Sequence, residues 1–232
     1  MASGHSDGPS GADEPAWPSV AEARQALDAL AGISDGTERL LEAAAVIQEQ
    51  LEAVGTPTAV VGGLAVAYWT RAQYITTEID VLMPVSPKAS HVLEDLGFRR
   101  EGRFWIRDQP FEIVFEAPGT FPDEGDEIEE VETAGGRKLN VLRVEDMVLW
   151  RFREVIHWGW LDAVHQTLWL LDAPLLDRGR LEGRASKEGL LAPLQLLEGR
   201  AADRQTTGVP FTHEELKTLV GELKAQYREG SP

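Results

Sequence analysis

The sequence contains no cysteine and is poor in basic residues, and each shortage excludes a class of function. Without cysteine, the 232-residue chain cannot form a disulfide, a cysteine-ligated zinc or iron–sulfur site, or a thiol nucleophile. Its 22 Lys and Arg residues stand against 39 Asp and Glu, which gives a formal net charge of −17. Binding along duplex DNA requires clustered basic side chains, so a protein that coats duplex DNA is excluded, and cationic partners are favoured.

Long apolar segments are missing as well. No run approaches the roughly 18 consecutive apolar residues of a membrane-spanning helix. The first residues also lack the basic segment and apolar stretch of a secretory signal. We therefore expect no membrane contact and a cytoplasmic location, which fits the absence of cysteine.

Composition and hydrophobic periodicity divide the chain into three regions. Residues 1–18 are rich in Gly, Ser, Pro and Asp and are predicted to form a disordered tail. Residues 19–142 mix helical and strand periods, which predicts an α/β core with N-terminal helices. Residues 143–232 follow the helical period and predict a helical C-terminal region. The expected fold class is α+β, a small mixed β-sheet flanked by helices.

Local sequence signals predict where several helices begin and end. Asp35 or Thr37 can cap a helix that ends near Gly55. The segment Leu181–Arg204 has a helical pattern interrupted by glycine. Thr212 and Glu215 have the spacing of a capping box, so a last helix is expected to start there.

Two acids on a predicted strand are the first candidate site residues. Glu78 and Asp80 lie two apart in an alternating segment, so both side chains are expected on one face, with Cα atoms about 6.6 Å apart. Two carboxylates this close repel each other unless a cation lies between them. Mg²⁺ prefers hard oxygen ligands and accepts substrate phosphates in its coordination shell, which makes it the natural candidate.

A third carboxylate is expected from a neighbouring strand. Phe98–Ile106 and Phe111–Glu116 are each predicted to be one strand. Glu112 and Glu116 both lie on the same face of the second of these strands. They are about 13 Å apart along an extended chain, so they cannot both bind one metal ion.

A glycine pair precedes the acids in the sequence. Gly62 and Gly63 lie where a short predicted strand meets a predicted helix. Glycine at such a turn allows backbone N–H groups to approach phosphate oxygens, and the helix N-terminus favours their negative charge.

These motifs together resemble a known superfamily. The run VVGGLAVAYWTRAQYITTEIDVLM is similar to the signature of nucleotidyltransferases with the DNA polymerase β-like minimal core. FEIVFE resembles the position of the third acid, and LNVLRVEDMVLWRF resembles the strand-to-helix step that follows. The similarity is greatest to the abortive-infection type bacterial nucleotidyltransferase toxins and related uncharacterised proteins.

The resemblance implies a role for each matching residue. It implies that Gly62, Gly63 and Arg151 bind the nucleotide, and that Glu78, Asp80 and Glu112 are the catalytic acids and metal ligands. Glu112 could also help to deprotonate an acceptor hydroxyl. Region 19–142 would then be the nucleotidyltransferase-like core.

The implied activity is transfer of a nucleoside monophosphate, AMP in the first place, from an NTP to a hydroxyl acceptor, with release of pyrophosphate. Mg²⁺ is the implied cofactor, with two ions in an active site. The acceptor could be a small molecule, an RNA end or a protein. Because Glu stands at 78 and 112 where the family has Asp, the alternative is a catalytically silent binding or regulatory module. Such a module could belong to a toxin–antitoxin pair with a small partner protein.

Two further features have more than one interpretation. Nine acids and no basic residue occur between Glu112 and Glu132, which is typical of a solvated, mobile loop or of an electronegative rim for a cationic acceptor. The seven tryptophans are interpreted as core packing, with stacking on a base as the alternative for one of them.

Overall fold

The computed structural model describes residues 17–117, 124–207 and 210–230. Residues 1–16 of the predicted tail lie outside the described residues. The boundary predicted between 142 and 143 stays a prediction, although every described element from Val144 onward is a helix.

Two helices open the described part of the chain. Helices α1 (Val20–Ala29) and α2 (Gly36–Ala53) are joined by a 3-10 turn at Leu30–Gly32. Asp35 caps α2, because its carboxylate accepts a hydrogen bond from the Glu38 N–H at 2.8 Å. Of the two caps that the sequence offers, Asp35 is therefore the one used.

In residues 17–117, 124–207 and 210–230, seven strands form one mixed sheet. Their bounds are β1 (Ala59–Val61), β2 (Glu78–Leu82), β3 (Arg99–Glu101), β4 (Phe104–Arg107), β5 (Ile113–Glu116), β6 (Ile128–Glu132) and β7 (Lys138–Leu142). The strand order is β3-β4-β5-β2-β1-β7-β6. The pairs β1–β7 and β2–β5 are parallel, and the other neighbours are antiparallel. This mixed sheet with flanking helices confirms the predicted α+β class.

The register at the centre of the sheet determines which side chains meet. In the parallel β2–β5 pair, Asp80 lies beside Glu116 and Glu78 beside Val114. In the antiparallel β1–β2 pair, Val61 lies beside Asp80. The residue after Val61 therefore turns away from the sheet directly next to Asp80.

One predicted strand is wrong in its extent. The sequence pattern predicts a single strand over Phe98–Ile106, but this segment forms the hairpin β3–β4, in which Arg99 pairs with Ile106. Gly102 lies at the turn with a φ of +62°. This left-handed conformation suits glycine and reverses the chain within two residues.

Seven further helices complete the described fold. Their bounds are α3 (Gly62–Trp69), α4 (Pro87–Asp95), α5 (Val144–Trp158), α6 (Leu161–Leu171), α7 (Arg178–Lys187), α8 (Leu191–Thr207) and α9 (His213–Gly230). The segment Leu181–Arg204 is thus divided between two helices, because Gly189 adopts a φ of +69° between them. The capping box is confirmed: Thr212 and Glu215 exchange backbone-to-side-chain hydrogen bonds of 2.8 and 3.3 Å.

A single hydrophobic cluster joins these layers. It extends from Leu27 of α1 through Ile79 and Phe115 at the centre of the sheet to Phe152 of α5 and Leu223 of α9, all of them fully buried. The helical C-terminal region therefore packs on the sheet and forms one wall of any cleft above the strand ends. None of the helices in the described segments is both long and apolar enough to span a bilayer.

Candidate active site

Three carboxylates meet at the centre of the sheet. Glu78 and Asp80 project from β2 and Glu116 from the end of β5, and one oxygen atom from each lies within 4.8 Å of the others. All three side chains are partly buried. The parallel register explains the group, since it places Asp80 beside Glu116 and keeps Glu78 on the same face two residues earlier. The arrangement offers three oxygen ligands to one cation.

The third acid of this cluster is not the one that the sequence motif suggests. Glu112 lies just before β5 and is exposed, and it is not one of the three clustered acids. Its charge acts instead on Arg99, whose pKa is raised mainly by its hydrogen bond to Asp108, with a smaller contribution from Glu112. Glu116, which lies four residues later on the same side of the chain, takes the third place in the geometry.

Burial strongly influences the charge of the cluster. Burial raises the pKa of the Asp80 carboxyl, while the Gly63 N–H and the charges of Arg151 and Arg103 act in the opposite direction. Burial also raises the pKa of Glu116. The positive charge of Arg103 lowers this pKa, and the negative charges of Asp80 and Glu78 raise it further. Nε of Arg103 lies 3.2 Å from the Glu116 carboxylate. A bound cation would relieve both the desolvation and the mutual repulsion of these acids.

The glycine pair packs directly against the acids. Gly62 has a φ of +61°, and a Cβ atom there would lie 2.0 Å from Oδ2 of Asp80. The Gly63 N–H donates a hydrogen bond to the same oxygen at 3.3 Å. A Cβ atom on Gly63 would lie 2.8 Å from Oγ1 of Thr76. The bend therefore requires glycine, and its N–H group positions a carboxylate of the cluster.

Two members of the cluster, Glu78 and Asp80, line a cleft of about 550 Å³, and Glu116 lies beside Asp80 outside the lining residues. One wall comes from the sheet side and includes Gly63, Tyr74, Thr76, Glu78 and Asp80. The other wall comes from helices and consists of Arg151 and Glu154 of α5, the segment 160–163 and Gln166 at α6, and His213 of α9. Of the predicted nucleotide-binding residues, Gly63 and Arg151 line this cleft, and Gly62 lies behind it against Asp80.

Arg151 is held in the cleft by a carboxylate of its own helix. Its Nη1 atom lies 3.0 and 2.9 Å from the two oxygens of Glu154, and the side chain is 15% exposed. Its buried Nε atom has no hydrogen-bond partner among the described residues. The guanidinium thus retains an unused donor next to the cluster of acids, whose electrostatics it already influences.

The acidic run that follows β5 has a structural role in its described part. The Asp126 carboxylate is fully buried, where it accepts hydrogen bonds from Nε1 of Trp150 at 2.8 Å and from Arg184 at 2.7 Å. Arg180 and Arg184 of α7 also pair with the fully buried Asp146 of α5, at 2.6 and 2.9 Å. Asp126 therefore belongs neither to a solvated loop nor to a rim, contrary to both interpretations of the sequence. We call Asp126, Asp146, Arg180 and Arg184 the buried ion network.

The similarities to known proteins are similarities to solved structures. No protein-family model and no curated protein matches the sequence. The chain is similar to the crystal structure of an antigenic nucleotidyltransferase-like protein from Paracoccidioides brasiliensis, with a TM-score of 0.49 and 11% identity over 75% of this chain and 92% of that one. It is also similar to the solution structure of the antibiotic-resistance factor ANT(2'')-Ia, with a TM-score of 0.41 and 15% identity over 70% of this chain and 92% of that one.

The first of these structures is nucleotidyltransferase-like by name, and this is the superfamily that the sequence motifs resemble. TM-scores below 0.5 leave the function of this chain to be argued from the site itself.

Proposed function

We propose that the protein transfers a nucleoside monophosphate, AMP from ATP, to a hydroxyl acceptor and releases pyrophosphate. The observation that carries this proposal is the cluster of Glu78, Asp80 and Glu116, two of whose members, Glu78 and Asp80, line a cleft large enough for a nucleotide. The compartment that we propose is the cytoplasm.

The residues present fit a divalent cation. Three carboxylates supply the hard oxygen ligands that Mg²⁺ requires, and the raised pKa values of Asp80 and Glu116 indicate that their negative charge is not fully compensated within the protein. When bound, Mg²⁺ would neutralise triphosphate charge at the α-phosphate, with a second ion as the family resemblance implies. Glu78, Asp80 and Glu116 would hold it.

The chemical step balances with the groups present. The acceptor oxygen forms a bond to the α-phosphorus, and the bond from that phosphorus to the bridging oxygen of the β-phosphate breaks with its electron pair, so pyrophosphate leaves. The hydroxyl proton would pass to the carboxylate of Glu116. The Gly63 N–H fixes Asp80, and Arg151 supplies positive charge on the facing wall. Catalysis would then come from positioning and charge neutralisation.

Charge in the cleft favours a cationic acceptor. Four carboxylates line it, those of Glu78, Asp80, Glu154 and Asp162, and one of them already pairs with Arg151. An acceptor that carries amines beside its hydroxyl groups suits this lining better than an RNA end. A small molecule and a basic protein segment both meet this condition. A small partner protein stays a prediction.

One observation favours the silent module as a second candidate. The Gly63 N–H already binds Asp80, and Arg151 already binds Glu154, so two groups that a nucleotide would use have partners within the chain. A silent module would bind Mg²⁺ and nucleotide without pyrophosphate release.

The two candidates are tested with one matched pair of variants, Glu116→Gln and Glu112→Gln. Calorimetric titration with Mg²⁺ and a non-hydrolysable ATP analogue should show binding to the wild type. Loss of one charged ligand should weaken it about tenfold in Glu116→Gln, equivalent to about 1.4 kcal/mol. Glu112→Gln should bind as the wild type does, because Glu112 is exposed outside the cluster.

Pyrophosphate release is then measured over a panel of hydroxylated amines, RNA ends and basic peptides. Release by the wild type and its loss in Glu116→Gln support the enzyme. Binding without release over the whole panel supports the silent module. Equal effects of the two substitutions on binding would contradict the metal site at this cluster.

A further inference from the structure

Trp160 is the unusual residue on the helical wall of the cleft. Its side chain is 57% exposed although tryptophan is the largest apolar side chain, and it lines the same cleft as Asp80 and Arg151. Trp158, two residues earlier, is 71% exposed but lies outside the cleft lining. The pair therefore offers one exposed indole in the cleft and one away from it.

The indole of Trp160 is unused within the protein. Among the described residues, its ring makes no aromatic or cation–π contact, and its Nε1 atom has no hydrogen-bond partner. Other tryptophans are engaged: Nε1 of Trp69 donates to the Leu142 carbonyl, and Trp169 stacks on His165. Both the face and the polar edge of Trp160 thus remain for a ligand.

Local structure does not explain a tryptophan at this position. Trp160 is the N-cap residue of α6, where Ser, Thr, Asp or Asn would satisfy a free N–H group, and its side chain makes no capping hydrogen bond. A residue that is poor for the local structure and exposed in a cleft is typical of a functional position.

The backbone holds this side chain in a short connection. Only Gly159 and Trp160 separate α5 from α6. Gly159 has a φ of +74°, and its N–H bonds to the carbonyls of Glu154 and Val155 at the end of α5. A Cβ atom on Gly159 would lie 3.0 Å from Nζ of Lys224, so the turn is also packed from outside. A short connection with a fixed backbone limits where the side chain can lie, which lowers the conformational entropy lost when a ligand stacks on it.

We propose that Trp160 is the stacking platform for the nucleobase of the bound nucleotide. This inference rests on the proposed function, which places the triphosphate at the carboxylate cluster and leaves the base to extend along the cleft. Two other rings line the cleft in the described part of the chain, those of Tyr74 and His213. The Tyr74 ring lies against Gly63 and Trp169 and so belongs to the phosphate end, and the imidazole of His213 offers a smaller face than an indole. Trp160 then contributes to affinity for the base but not for the phosphates, and it accepts any base, because each has a π-face.

The experiment separates base from phosphate by using two ligands. Calorimetry measures the binding of a non-hydrolysable ATP analogue and of inorganic tripolyphosphate, each with Mg²⁺, to the wild type, Trp160→Ala, Trp160→Phe and Trp158→Ala. Trp160→Ala should bind the ATP analogue about tenfold more weakly, within the range found for loss of one base–aromatic stack. Its affinity for tripolyphosphate should change less than about twofold, within the error of such a comparison. Trp160→Phe should keep most of the affinity, and Trp158→Ala all of it.

Tryptophan fluorescence gives a second readout. The ATP analogue should quench the emission of the wild type and of Trp158→Ala, with little quenching left in Trp160→Ala. The stacking role is overturned if Trp160→Ala binds the ATP analogue as the wild type does, or if it loses affinity for both ligands equally. If the wild type binds neither ligand, the proposed function is contradicted, and the stacking role is contradicted as well.

Discussion

Substitution of Gly62 tests whether the bend and the carboxylate cluster form one unit. Gly62 has a φ of +61°, and an alanine Cβ there would lie 2.0, 2.6 and 2.7 Å from Oδ2, Cγ and Cβ of Asp80. Gly102 is a matched control, because its φ is +62° and an alanine Cβ there would have no neighbouring atom within 4 Å. Both substitutions impose the same backbone conformation on alanine, and only one of them crowds a neighbour.

The expected magnitudes follow from these two contributions. A left-handed backbone costs a non-glycine residue about 1–2 kcal/mol, which is the whole cost for Gly102→Ala. Gly62→Ala adds a steric contribution of about 1–3 kcal/mol, as is typical of overpacking. For a chain of this length each kcal/mol lowers Tm by about 2–4 °C, so the two variants should be clearly resolved.

Urea and thermal unfolding of Gly62→Ala, Gly102→Ala and the double variant Gly62→Ala/Asp80→Ala measure the difference. Asp80→Ala removes two of the three crowding atoms, so the double variant should lose less stability than the sum of its single substitutions. Equal loss of stability in Gly62→Ala and Gly102→Ala would refute the reasoning, since the contact with Asp80 would then cost nothing.

Two further predictions concern charge in the cleft. Burial raises the pKa of Asp80, so the stability that its proton confers is complete below the unfolded pKa and is lost as the pH rises through the folded pKa. At pH 7 in chelator, Asp80→Asn should therefore unfold at a higher temperature than the wild type, and added Mg²⁺ should stabilise the wild type alone. A lower Tm for the variant than for the wild type in chelator at every pH would contradict this. Removing the charge of Glu154 should leave Arg151 free to bind phosphate, so Glu154→Gln should bind the Mg²⁺–ATP analogue about two- to fivefold more tightly in calorimetry, equivalent to the ~0.5–1 kcal/mol of a partly exposed ion pair. The control is Glu188→Gln, which breaks the ion pair between Glu188 and Arg153; Arg153 lies on the same helix as Arg151 but outside the cleft lining. Weaker binding by Glu154→Gln than by the wild type would show that the Glu154 carboxylate itself binds the ligand.

The sequence predicts those parts of the structure that depend on nearby residues. The capping box of Thr212 and Glu215 spans three residues, and the common face of Glu78 and Asp80 needs only the period of a strand. Both features are present in the structure, because each is determined by residues close together in the chain.

The third acid cannot be chosen from the sequence, because the choice depends on strand register. Glu112 and Glu116 share one face of the same segment, and only the alignment of β5 with β2 puts Glu116 beside Asp80. Register is set by long-range packing rather than by any residue near the two acids. The same limit applies to Gly63, whose N–H is expected from the sequence to meet phosphate but bonds to a side chain 17 residues away.

Long-range pairing also explains why the sequence does not reveal the role of Asp126. A run of acids without basic neighbours has the local composition of a solvated loop. The partner of Asp126 is Arg184, which lies 58 residues later in the chain, so local composition carries no sign of the pair.

The buried ion network has a consequence for how such sequences vary. Asp126 and Asp146 are both fully buried, but Asp146 pairs with Arg180 and Arg184, whereas Asp126 pairs, among the described residues, with Arg184 alone. Loss of Arg184 would therefore leave the Asp126 charge uncompensated, at a cost of about 3–5 kcal/mol. An exchange of Arg184 for an uncharged residue should therefore be tolerated only when Asp126 is replaced together with it.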